Sequence, residues 1–528
     1  MPTYLTPGVY VEEIPAQSKP IEGVGTSIAA FVGLAPGGPV NTPMRISNWT
    51  QFARTFGDPT NPDAGPFMSG AYLAHSVYGF FQNGGGLCWV VRVGGDGGGN
   101  GSGPPPAQAA LPAAANPSVD AYRAVAQPEV SDPVAIELVE EAAPAAEGDG
   151  EGDGAPAAGD PTYRLVVTAG TAREEHEGLT LKRGRTNIAT KVNAASKLIR
   201  IEETGASLPD GQRAPATGSY NLVSAAVAPR DLSASDFDGD VARRKGLGGL
   251  AAVDEITMVC LPDLMTLGDD AQVRDLQGKM IAHCENAGDR MAILDPPPDM
   301  LPQDVSEWRM DTAGYDSKFA ALYWPWIEVM DPLTNQPMMV PPSGHVAGVW
   351  ARTDGTRGVH KAPANEVVLG ANGLAFQVTH EEQGGLNTNG VNCIRAFSGR
   401  GIRIWGARTL SSDPEWRYIN VRRLFNYVSE SIIEGTQWAV FEPNDPRLWT
   451  RLRISSANFL TRVWRDGALF GSTPEQAFFV KCDAETNPPD VIEAGQVVIE
   501  IGIAPVKPAE FVIFRISQFT AGAAEVSA

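Results

Sequence analysis

Val497-Val498-Ile499-Glu500-Ile501-Gly502-Ile503, then Lys507-Pro508, then Phe511-Val512-Ile513-Phe514-Arg515-Ile516: this stretch decides how the chain is built. Side chains alternate faces along an extended backbone. Val497, Ile499, Ile501 and Ile503 therefore share one face of a strand, and Val498, Glu500 and Gly502 the other. Phe511–Ile516 reads as a further strand. The opposite end, Thr6-Pro7-Gly8-Val9-Tyr10-Val11-Glu12-Glu13-Ile14-Pro15, reads the same way, with prolines closing the segment at both ends. Chain ends fray unless something ties them down. Two strand-like ends need a sheet to join, and if that sheet belongs to another copy, the chain is a polymer subunit linked by strand exchange. The residues expected to carry the exchange are Val9, Tyr10, Val11, Ile14, Val497, Ile499, Ile501, Phe511 and Ile513.

Working outward, 528 residues with 43% hydrophobic content suit several globular domains. No stretch approaches the ~18 consecutive apolar residues of a membrane span, so membrane insertion is not expected. The start, Met1-Pro2-Thr3-Tyr4, shows neither a basic nor an apolar leader region, which predicts assembly in the cytoplasm. Cys88, Cys260, Cys284, Cys393 and Cys482 are scattered through apolar segments and read as reduced core thiols without zinc-ligand spacing. A net charge of −21 argues against nucleic-acid binding. The charge is unevenly placed. Residues 124–163 hold no Lys or Arg, and carry Glu140, Glu141, Glu147, Asp149, Glu151, Asp153 and Asp160 in an Ala/Gly/Pro-rich setting. Residues 391–470 hold twelve Arg, no Lys and seven acids, a net +5.

Apolar periodicity and breakers predict strands at 28–34, 87–93, 255–261, 291–294 and 318–323. Helices are predicted at 48–56, 67–82, 269–287 and 302–312. This alternation predicts a mixed α/β sheet built from residues 23–95 and 236–385. Residues 96–235 read as an inserted, β-rich outer domain with strands near 135–139, 163–168 and 198–202, a helix over 187–195, and a disordered acidic tract over about 124–160. Residues 386–495 read as an α+β domain with strands at 391–397, 402–407 and 477–482 and helices at 421–436 and 446–465. Residues 1–22 and 496–528 form the terminal arms, the latter with strands at 496–503 and 510–516.

Catalytic motifs fail one by one. Gly25-Thr26-Ser27-Ile28-Ala29 is like the nucleophile segment of subtilisin-type proteases, but the serine comes first in the chain and no base follows in that family's order. Asp236-Phe237-Asp238-Gly239-Asp240 begins like a calcium loop, yet Val241 and Leu247 stand where the loop needs glycine and glutamate, so a capped turn is expected. Gly246-Leu247-Gly248-Gly249-Leu250-Ala251 precedes a strand, whereas a dinucleotide fingerprint follows one. His283 and Cys284 are adjacent on a helix and point about 100° apart. His345 and His360 flank a polar segment suited to capping or an interface. No catalytic residue, cofactor or metal ligand is assigned.

Several segments together resemble the contractile tail sheath family: Tyr4–Pro15, Thr26–Gly33, Asn48-Trp49-Thr50-Gln51-Phe52-Ala53-Arg54-Thr55-Phe56-Gly57, Gly246–Pro262, Ser343–Gly348, Arg352–Asp354, Gly358–Asn365 and Lys507–Val512. The resemblance covers about 1–95 and 240–528 and leaves out the insertion. It implies a structural subunit that stacks as six-fold rings around an inner tube protein, with baseplate and terminator or cap proteins as further partners. It also implies that contraction drives the tube through a target envelope. The 386–495 domain would face the tube, with Arg447, Arg451, Arg453, Arg462 and Arg465 as candidate grips on an acidic tube surface. A phage tail and a phage-derived injection system both fit, and the chain length leans toward the latter. A degenerate hydrolase and a capsid-like lattice protein are the readings of other classes.

Overall fold

The computed structural model describes residues 20–57, 65–93, 107–127, 134–141, 161–170, 172–204, 213–222 and 232–515. Val9, Tyr10, Val11 and Ile14 lie outside the described residues.

The centre is a nine-stranded sheet. Its order is Glu366–Val367, Gly401–Ile404, Val391–Phe397, Ala320–Trp324, Met291–Leu294, Met258–Cys260, Ala29–Gly33, Cys88–Arg92 and Met44–Ile46. The six strands from Val391–Phe397 to Cys88–Arg92 run parallel, and antiparallel strands close both edges. Strands covered on both faces read as unbroken apolar runs, and Ala-Ala-Phe-Val-Gly at 29–33 is buried throughout. Phe31, Val90, Ile293 and Tyr323 point to one face, where helices Trp49–Phe56, Leu73–Gln82 and Ser343–Arg357 pack. Val32, Val259, Leu294 and Leu322 point to the other, covered by Asp270–Ala287 and Pro302–Glu307.

The insertion is a small two-sheet domain with one core. Gln108–Ala113, Asn116–Ala126 and Ile199–Glu203 form one sheet, and Gly218–Asn221, Val134–Glu141, Thr162–Ala169 and Ala172–Leu179 the other. Leu111, Tyr122, Ile136, Leu165, Val192 and Ile199 are buried between them. The strand expected near 135–139 is Val134–Glu141, and the tract expected to be disordered over about 124–160 therefore holds that strand and the end of Asn116–Ala126. Their inward apolar positions, Val134, Ile136 and Leu138, outweigh the acidic outward ones.

Most elements fall where the periodicity puts them, and Asn48 caps the Trp49–Phe56 helix as expected. Four places differ. The helix expected from 67 begins at Leu73. The helix after Pro302 turns to a π-helix at Trp308–Ala313. The last strand pair is shorter: only Glu500–Ile503 pairs, with Phe478–Lys481, so Ile501 is in the ladder while Val497 and Ile499 precede it. Residues 504–515 form no strand.

The helix Ser343–Arg357 was not expected at all, because glycines interrupt it. They are there for contact. A Cβ on Gly344 would lie 2.5 Å from the Ser76 side chain, and one on Gly79 would strike the His345 ring. Glycine's low helix propensity is offset by this close crossing of two helices.

Candidate assembly surfaces

The C-terminal segment is held by backbone bonds at Ala504 and Val506, fixed again at Glu510, and then bare. The Glu510 carboxylate accepts from Arg408 Nη2 at 2.6 Å and Nε at 3.0 Å, from Asn387 Nδ2 at 2.7 Å and from the Tyr418 hydroxyl at 3.2 Å. Burial pushes the Glu510 carboxyl up, but these donors outweigh it and hold the group below the usual carboxylate range. Immediately after it, Phe511, Val512, Ile513 and Phe514 are 70–83% exposed. Four consecutive large apolar side chains in water, on both faces of an unpaired backbone, form a surface that wants a sheet.

A small sheet with open edges lies on the same domain. Phe478–Lys481 and Glu500–Ile503 make an isolated two-stranded antiparallel sheet, and neither outer edge has a strand partner among the described residues. Two strands alone are marginally stable in water. Their inner face, with Phe478, Val480, Ile501 and Ile503, packs on Phe459, Leu460 and Val463 of the helix Pro446–Arg465.

That helix carries the predicted basic residues. Asp445 caps it, Pro446 occupies its first turn, and Leu448, Leu452, Phe459 and Val463 form its buried stripe. At about 100° per residue, Arg447, Arg451, Arg462 and Arg465 share a stripe. Arg453 falls roughly 120° away on the opposite flank. Two of the five are occupied within the chain. Arg451 stacks on Trp438 at 4.2 Å and pairs with Glu442 at 3.5 Å, bracing the loop that displays a fully exposed Phe441. Arg462 donates to the Ile21 carbonyl. Arg447, Arg453 and Arg465 are exposed, with no ion pair among the described residues.

A buried joint links the central sheet to this domain. Arg423, on the helix Ile419–Thr436, places its guanidinium 2.5 and 2.8 Å from the Asp354 carboxylate. The Thr26 hydroxyl donates to Asp354 at 2.7 Å, and Arg423 also donates to the Thr26 carbonyl at 2.9 Å. The Thr26 hydroxyl, next to Ser27 in the protease-like segment, is thus committed to structure. Beside the joint is a cleft of about 240 Å³ whose wall includes Asp254, Asp289, Glu430 and Glu434. Burial and then these neighbouring acids push the Glu430 carboxyl up.

The histidines occupy packing positions. His345 is enclosed at the helix crossing, and burial and His75 push it down to about 4. His283 lies 3.4 Å from Arg290 and is also pushed down to about 4, by burial first. Ser233 and Asp236 form a capping box, so the calcium-like segment is the capped turn expected of it. Among the described residues no group of His, Cys, Asp and Glu is suited to hold a metal, and no helix is long and apolar enough to cross a membrane. The features sequence reasoning missed are the Glu510 clamp and the Thr26–Asp354–Arg423 joint; their partners lie too far apart in the chain for a spacing signal.

The phage tail sheath protein central domain matches residues 243–410, and the phage tail sheath C-terminal domain matches 411–519. The tail sheath protein of Salmonella phage ViI is 31% identical over 208 residues, which are 38% of this chain and 32% of that protein. A putative prophage major tail sheath protein of Pseudomonas aeruginosa (strain UCBPP-PA14) is matched over 52% of its length, so the chain spans a third to a half of these two relatives. The tail sheath protein of Burkholderia phage BcepMu is 23% identical over 507 residues, 93% of this chain and 92% of that one. Among solved structures, the helical sheath of the anti-feeding prophage in its contracted state is 25% identical, with a TM-score of 0.57, covering 98% of this chain and 100% of that one. The PVC sheath complex of an extracellular contractile injection system, also contracted, is 23% identical with a TM-score of 0.56, covering 98% and 99%.

Proposed function

The chain belongs to the contractile tail sheath family, and on that premise we propose that it is the sheath subunit of an injection system, polymerising as hexameric rings around an inner tube and contracting to drive that tube through a target envelope. The protein's role is structural and not catalytic. One observation carries the reading: Glu510 is clamped, and the four apolar residues after it stand unpaired in water. Phe511 and Ile513 would add a strand to the two-stranded sheet of a neighbouring copy, and residues 1–22 would add another. Backbone ladders between copies hold a lattice together while the bodies between them rotate.

The open Arg447 and Arg465, about 27 Å apart along one helix, are the better candidates for the tube grip, with Arg453 reaching from the other flank. Exposed ion pairs contribute roughly 0–1 kcal/mol each, which suits a contact that must release on firing. Assembly takes place in the cytoplasm, with the baseplate and a terminator or cap protein completing the particle. The likeness to the anti-feeding prophage sheath and the chain's length support the injection-system reading, but the Burkholderia phage BcepMu sheath is covered almost as fully, so particle morphology decides between the two.

Removal of residues 1–15 tests the strand exchange. The truncated chain should remain a folded monomer and form no tubes by electron microscopy; normal tubes would refute the exchange. Purified particles separate the two systems: headless tubes are expected, and DNA-filled heads would make it a phage tail.

A further inference from the structure

Near one edge of the central sheet, a hairpin carries positive charge that the chain itself does not neutralise. Its strands Val391–Phe397 and Gly401–Ile404 set Arg395 directly opposite Arg403. Like charges so placed destabilise a sheet, and neither has an ion pair among the described residues. Arg403 is held instead to the Arg400 and Asn365 carbonyls at 2.9 and 2.7 Å. Arg395 spends one N–H on Gln383 Oε1 at 2.6 Å, and its Nε is buried without an acceptor among the described residues. On the same face Phe397 packs on Trp405, with ring centroids 4.5 Å apart. The exposed Arg400, in the turn, lies over both rings, its Cζ 4.6 Å from the Phe397 centroid and 5.6 Å from that of Trp405. An arginine held over aromatic faces with its donors unspent is preorganised for a carboxylate.

The helix His380–Thr388, which holds Arg395 through Gln383, also forms one wall of an open cleft of about 600 Å³, and residues 302–311 form the other. Glu307, Asp311, Glu381 and Glu382 line it, together with Met310 and Leu386. None of the four carboxylates has an ion pair among the described residues. The wall has a second peculiarity. Gly384 and Gly385 stand in the middle of the helix, where glycine is unfavourable, and a Cβ on either would meet nothing. Unlike Gly344, they serve no close contact among the described residues. Bare backbone beside a cleft suits close approach by another chain.

We propose that the hairpin tip Phe397–Gly401 of one copy docks in the cleft between Glu307 and Glu382 of a second copy, head to tail. The inference rests on the chain being a subunit that polymerises. At about 100° per residue, Gln383 points roughly 130° away from the mean direction of Glu381, Glu382, Gly385 and Leu386. A copy's hairpin and its own cleft therefore lie on different flanks of one helix, and each copy offers both halves of the contact. Such a heterologous contact propagates into a ring or a helix. The charges are complementary: three arginines meet four carboxylates, each set without ion pairs of its own. A net charge of −21 repels nucleic acid from the same hairpin.

Disulfide trapping between full-length chains tests the contact. The five native cysteines are buried, so introduced ones report alone. A chain with Ser398→Cys mixed with a chain with Gln303→Cys should give the mixed dimer in excess of both like pairs. Arg400→Glu alone, and Glu307→Lys with Asp311→Lys, should each raise the concentration needed for polymer formation about tenfold. All three changes in one chain should restore it, which a merely structural role for these residues would not do. Mixed dimers without tubes would leave this contact standing and remove the sheath reading. Tubes without mixed dimers, like pairs in excess, or a failed rescue would overturn the contact and spare the sheath reading. DNA retarded by the parent chain and not by Arg400→Glu would assign the hairpin to nucleic acid and overturn it as well.

Discussion

Arg423 and Asp354 form a bidentate ion pair with both side chains 4% exposed, and it ties the helix Ser343–Arg357 of the central sheet to the helix Ile419–Thr436 of the C-terminal domain. Trp350 covers the guanidinium at 4.8 Å. Removing one partner of a buried pair strands the other charge. Arg423→Ala is therefore expected to cost about 3–5 kcal/mol in denaturant unfolding. The double variant Arg423→Met, Asp354→Leu should cost less than the single one. Equal losses would mean the pair's charges are not what the joint depends on.

Glu510 presents the exposed arm. Glu510→Ala should leave unfolding of the monomer within about 1 kcal/mol of the parent while raising the concentration needed for polymer formation, followed by light scattering. Because its donors hold this carboxyl below its ordinary value, the clamp is intact above the ordinary carboxylate range and is lost as the pH falls through the lowered folded value. Arg408→Ala should reproduce the effect at neutral pH.

Arg447 and Arg465 are separable from Arg451. Reversing the first two to Glu should weaken co-sedimentation with tube and spare sheath-only polymers. Arg451→Glu removes the brace on Trp438 and Glu442, and should lower thermal stability by a few degrees, about 1 kcal/mol or less. Tube binding unchanged in the first variant would exclude that surface.

Asp295 accepts the Ser343 N–H at 2.9 Å at the start of the Ser343–Arg357 helix, and burial pushes its carboxyl up to about 7. The native state then binds a proton that the unfolded chain has lost, so this group's contribution to stability falls as the pH rises from about 4 to about 7. Asp295→Asn mimics the neutral form. Its stability relative to the parent should rise across that window, by on the order of 4 kcal/mol, and stay flat above it. A constant difference from pH 4 to 8 would contradict the assignment.

Much of the fold was legible because its signals are local. The Ala29–Gly33 strand announces itself as an apolar run, and the Trp49–Phe56 helix by Asn48 before it and Gly57 after it. Val134–Glu141 was half legible: its alternation reads as a strand, but its position among acids and alanines suggested disorder. The Ser343–Arg357 helix was illegible, since its glycines lower helix propensity and their purpose, contact with Leu73–Gln82, lies far away in the chain. For the five arginines, helical spacing gives both the stripe and Arg453's departure from it, but the internal partners of Arg451 and Arg462 required coordinates.

By itself the sequence determined the strand-and-helix alphabet, the acidic insertion, the basic helix and the apolar character of the C-terminal arm. Each follows from periodicity and charge within a dozen or so residues. The tertiary structure decided which of these are satisfied internally. It paired Glu500–Ile503 with Phe478–Lys481, anchored Glu510 on Arg408, and left Phe511–Phe514 in water. Whether an apolar strand is core or interface depends on what remains unpaired after the chain has packed, and only the whole fold sets that remainder.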